Sequence, residues 1–108
     1  GDVSVTTRSA RGVADLAEFG RRALRSHLLV DASDLDMRPL RMPADPDVIG
    51  WGGGLETWDG DVHSVLVLGR EMGNKGADGI VAIVDGEGAA VDAAASAIAK
   101  RVTFGEGR

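Results

Sequence analysis

The stretch Asp61-Val62-His63-Ser64-Val65-Leu66-Val67-Leu68-Gly69 decides the fold, because it reads two ways. Its β-branched content is that of a strand. Asp61 before it and Gly69 after it are the capping residues of a short helix, an acceptor at the N-cap and a glycine just past the end. Taken alone, propensity selects the strand.

Outward from this stretch the chain is better punctuated. On its C-terminal side Met72–Asp78 is a glycine-rich loop, and Gly79-Ile80-Val81-Ala82-Ile83-Val84 is a buried strand. Gly86-Glu87-Gly88 turns the chain. A last helix is expected over Ala89–Val102, with Val91, Ala94, Ala95, Ile98 and Val102 on one face and an alanine content suited to close packing on the sheet. On its N-terminal side Asp47–Asp61 reads as a hairpin: Val48–Trp51 enters, Gly52-Gly53-Gly54 turns, and Leu55–Trp58 returns, with Trp51 and Trp58 as a cross-strand pair. That glycine run lacks the Lys-Ser/Thr of a phosphate-binding loop, so a plain turn is preferred.

Further back, Asp2–Thr7 alternates as a strand. A helix is expected from Ser9 or Ala10 to Ser26, with Val13, Leu16, Ala17, Gly20 and Leu24 at helical spacing. Arg21, Arg22 and Arg25 suit the negative end of its dipole, a reading preferred over an anion site. His27–Val30 is a candidate short strand. Residues 31–47 hold all three prolines and five aspartates. They read as an inserted loop with one turn of helix, since proline is kept out of central strands.

Composition bounds the function. One domain is expected over 1–108, a length that closes a single two-layer core. Apolar residues make up 44% and aromatics 4% of the chain, so Val, Leu, Ile and Ala must fill that core. The net charge of −5 and the lack of a basic run argue against nucleic acid and anionic membranes as partners. No cysteine is present, which removes disulfides, thiolate metal sites and cysteine nucleophiles. No signal peptide or membrane span is read, and the cytoplasm is the expected setting.

The order strand, helix, strand, strand, short segment, strand, helix resembles the HPr family, the phosphocarriers of the bacterial sugar phosphotransferase system. Asp61 to Gly69 is similar to the family's short helix in length. Ala77-Asp78 stands at its Gly-Asp turn, Ile80–Val84 at its strand, and Gly86-Glu87 at the opening of its last helix. The resemblance implies an α+β, open-faced β-sandwich, in which a four-stranded antiparallel sheet carries two longer helices and one short helix on one face. It also turns residues 62–68 into a helix, against propensity.

The same resemblance fails at the active site. The family reads Gly-Leu-His-Ala-Arg-Pro-Ala where this chain reads Thr7-Arg8-Ser9-Ala10-Arg11-Gly12-Val13. Ser9 stands at the phosphoacceptor histidine. A hydroxyl needs a base to become a nucleophile, and its phosphoester is a poor phosphoryl donor, so Ser9 is expected to cap the helix rather than to relay phosphate. Arg11 is left as an anion contact. Asp61 stands where some family members carry a regulatory serine, and an N-cap role is the simpler reading. His27 and His63 read as surface histidines.

The expected function is that of a regulatory, protein-binding HPr-like domain without enzyme activity, cofactor or metal. The resemblance implies phosphotransferase-system proteins as partners and a contact surface of Arg11, Ala14, Val62, His63 and Leu66. Two alternatives stay open: a true phosphocarrier with another acceptor, and a domain or subunit of an enzyme. For the last, the carboxylates of residues 31–47 are a candidate Ca²⁺ loop that does not match EF-hand spacing. Residues 77–99 are faintly similar to the closing segment of flavin-transferase-like proteins, whose upstream metal motifs are missing here.

Overall fold

A computed structural model of the chain describes residues 4–40, 47–56 and 60–85. Strand β1 (Ser4–Val13) leads through Asp15 into helix α1 (Leu16–Leu28). Four strands follow: β2 (Arg38–Leu40), β3 (Ile49–Glu56), β4 (Val62–Glu71) and β5 (Ala77–Asp85), with a 3₁₀ turn at Gly73–Lys75 between the last two. The strands form one antiparallel sheet in the order β1-β5-β4-β3-β2, and among the described residues β1 and β2 are its edges. The expected four-stranded sheet with three helices is thus corrected to five strands and, among the described residues, a single α-helix.

β4 overturns the expected short helix at 62–68. Val65, Val67, Leu66 and Leu68 are all buried, on alternate faces of a strand with sheet on both sides. A near-continuous apolar run is what such a central strand requires. Gly69 does not end a helix either. It pairs with Ile49 and Gly79, and a Cβ there would collide with the side chain of Leu16 on α1. The glycine lets helix and sheet approach closely.

β3 overturns the expected hairpin. Ile49–Glu56 runs straight through Gly52-Gly53-Gly54 and pairs residue for residue with Gly69–Val62. The segment between α1 and β2 presses on this strand: a Cβ on Gly53 would stand 2.8 Å from Met37 Sδ and 3.0 Å from the Asp36 carbonyl. Trp58, Gly86–Gly88 and the expected helix Ala89–Val102 lie outside the described residues.

α1 starts later than expected. The chain stays extended through Ser9, Ala10 and Arg11, with a β-bulge between Ala10 and Val13 where Gly12 takes a φ of +68°. Asp15 is the N-cap, its carboxylate accepting from the Glu18 N–H at 3.1 Å. The expected strand at His27–Val30 is the helix's last turn and its exit. Leu28 ends α1, and Leu29 lies in the left-handed region at φ 58°, its N–H bonded to the Arg25 carbonyl at 2.8 Å.

The core between α1 and the sheet joins Leu16, Ala17, Ala23 and Leu24 to Val65, Val67, Ala77, Val81 and Ile83. Residues 31–37 are not the solvated insertion expected of them: Ala32, Leu35 and Met37 close this core, and the Leu35 carbonyl accepts from Arg21 Nε at 2.8 Å. Pro39 sits in the three-residue edge strand β2, where its missing N–H is tolerated. The opposite face of the sheet is also apolar, with Leu66, Leu68, Ala82 and Val84 buried. No helix among the described residues is long and apolar enough to cross a membrane.

Candidate functional site

Antiparallel partners share a face, so the register locates each side chain of β1. Thr6 pairs with Ile83 and Arg8 with Val81, and these partners belong to the core under α1. Thr6 and Arg8 therefore stand on the helix side of the sheet. Val5, Thr7 and Ser9 stand on the other side, opposite Val84, Ala82 and Ile80. Residues Ser4 to Ser9 are all exposed. β1 carries two arginines, Arg8 and Arg11, and no carboxylate, in a chain whose net charge is −5.

Between β1 and the last turn of α1 lies an open cleft of about 280 Å³. Val81, Ile83 and Ala23 form its apolar floor, and Thr6, Arg8, Ser26 and His27 its polar walls.

His27 is held in place from behind. Its Nε2 lies 3.1 Å from Asp85 Oδ2, and His63 Nδ1 lies 2.5 Å from Asp85 Oδ1. His63 and Asp85 are cross-strand partners on β4 and β5, and His27 reaches them from α1. Partial burial raises the Asp85 pKa, but the hydrogen bonds from His63 and His27 outweigh it, and their charges add to the effect. The carboxyl is held below its ordinary value of 3.8. A carboxylate that engages one ring nitrogen fixes the imidazole and leaves the other nitrogen for proton transfer or for accepting a hydrogen bond. Among the described residues, Asp85 is the hydrogen-bond partner of both rings, and no serine or threonine hydroxyl is bonded to either. No group of three or more His, Cys, Asp or Glu among the described residues is arranged to hold a metal ion.

The residues singled out from the sequence fall apart in space. Ser9 is an exposed strand residue opposite Ile80, not the helix cap expected of it. Arg11 and Ala14 lie at the far end of β1 and in the turn after it, both exposed. Val62, His63 and Leu66 lie on β4, which β5 separates from β1. His63 faces α1 whereas Leu66 is buried on the opposite face, so the five do not form one surface. Asp61 precedes a strand and caps no helix. His27 is an exposed residue, as read, and His63 is half-buried; beyond that reading, both hold Asp85. Arg8 and His27, nineteen positions apart, meet only because β1 turns out to be an edge and α1 returns alongside it.

No family model matches the chain, and neither a curated protein nor a solved structure matches it. The functional reading rests on the geometry of the site itself.

Proposed function

We propose that this chain is a protein-binding domain that captures an extended segment of a partner by adding it to the sheet at β1. The observation that carries the reading is the edge itself: a ten-residue strand that, among the described residues, pairs on one side only, with β5, and is exposed from Ser4 to Ser9. An edge presents a row of unpaired N–H and C=O groups to any incoming strand. Arg8 and Arg11 favour an acidic partner. They disfavour a second copy, which would set one acid-free, arginine-bearing strand against another.

The non-relay binding role expected from the sequence is kept in this proposal, and so is its cytoplasmic setting. Phosphotransferase-system partners lose their main support, because the resemblance leaned on an element order that the five-stranded sheet does not have.

Ten-residue peptides selected from a displayed library against the full chain test the proposal. Selected peptides should shift the amide resonances of Ser4 to Ser9, and N-methylation of alternate peptide amides should weaken binding at least about tenfold, the loss of one or two backbone hydrogen bonds. No selected binder, binders that shift other surfaces, or binders indifferent to N-methylation would reject it.

A further inference from the structure

We infer that the cleft between β1 and α1 is a specificity pocket for a carboxylate side chain of the added strand. The inference rests on the strand-addition reading and names the chemistry that the edge selects.

Side chains of an added strand alternate between faces, and those across from Thr6 and Arg8 fall on the helix side, over the cleft. Strand addition draws affinity from main-chain bonds and specificity from such alternate pockets. The walls of this one are donors. Arg8 offers a guanidinium that matches a carboxylate in two-point geometry. Thr6 and Ser26 offer hydroxyls, and His27, whose Nε2 is held by Asp85, lines the same wall without being needed as a donor. A neutral polar side chain would leave the guanidinium without a counter-charge, and an amine would be repelled by it.

Two features oppose an anion here. The negative end of the α1 dipole is close, and so is Asp85. Arg25, in the same last turn, offsets the first. The second is engaged by two imidazoles, one on each carboxylate oxygen. The apolar floor of Val81, Ile83 and Ala23 limits water around the ion pair, which strengthens it relative to an exposed one.

The test uses the selected peptides with the full chain and its Arg8→Ala variant. Arg8 is exposed and packs in no core, so the variant folds. Selected peptides should share Asp or Glu at one fixed position. Changing that residue to Asn or Gln should weaken binding to the wild type about tenfold and binding to Arg8→Ala by less than about twofold, the non-additivity of a direct contact. The ring resonances of His27 should move with the acidic peptide and not with its amide form. Peptides that add to β1 without a fixed acidic position, or that lose the same affinity against both chains, overturn the pocket and leave strand addition standing. Indifference to N-methylation would instead remove strand addition itself.

Discussion

Leu29 is a residue in the wrong chemistry for its backbone. It stops α1 in the left-handed region, which glycine enters freely and leucine does not, and its side chain is 88% exposed. Nothing in the packing offsets that strain. Leu29→Gly should raise stability by about 1 kcal/mol, the lower end of the left-handed penalty for an L-residue. Urea denaturation checks it, and a stability loss would contradict it.

Asp85 is the other residue whose change has a clear sign. Its carboxyl is held below 3.8 in the folded chain by His63 and His27. The stabilisation that follows is present above the ordinary value and is lost as the pH falls through the lowered one. Asp85→Asn should lower stability at pH 7 by roughly 1 kcal/mol, screening included, and should flatten the loss of stability of the wild type below about pH 4. Thermal melts of both chains from pH 7 to pH 3 read this directly; parallel pH profiles would contradict it.

At the scale of elements, α1 and β5 were legible and β3 and β4 were not. The spacing of Leu16, Ala17, Gly20 and Leu24 marks a helix face, and all four are buried on α1. Its true start was also written in the chain, since Asp15 and Glu18 stand three apart in the pattern of a capping box. Asp15→Ala should cost about 1 kcal/mol in urea denaturation, whereas Ser9→Ala should change stability by less than about 0.5 kcal/mol. The residues expected as N-cap and found as N-cap are thereby separated.

The strand propensity of Val62 to Leu68 was the correct local signal, and the resemblance to the HPr short helix overrode it. Gly69 and Gly53 misled for one reason: a glycine that ends an element and a glycine that admits a neighbour look alike in a sequence. What distinguishes them is Leu16 above one and Met37 above the other, contacts made by distant parts of the chain. Gly69→Ala should therefore destabilise by about 1–3 kcal/mol through overpacking against Leu16, and Gly69→Ala with Leu16→Ala should recover part of that loss. If Gly69 were only a helix terminus, the second change would add to the first.

Across the whole molecule, one feature underlies the proposed strand-binding role. The chain order places its first strand at the outside, next to its last, and α1 crosses over the middle of the sheet. The centre is committed to the core, with Leu24, Val67 and Val81 enclosed, while β1 is exposed from Ser4 to Ser9 and carries Arg8 and Arg11. The site was illegible in the sequence for the same reason. Arg8, Ser26 and His27 have no motif spacing, and only the pairing of β1 with β5 brings them together.

The central claim is that β1 is an edge that accepts a strand, and amide hydrogen exchange along Ser4 to Ser9 tests it most directly. In the free chain, alternate amides of this segment should be protected by β5 while those between them exchange as fast as solvent-exposed groups; with a selected acidic peptide bound, the fast set should become protected as well. Uniform protection of β1 in the free chain, or a fast set that stays fast with peptide bound, would contradict it.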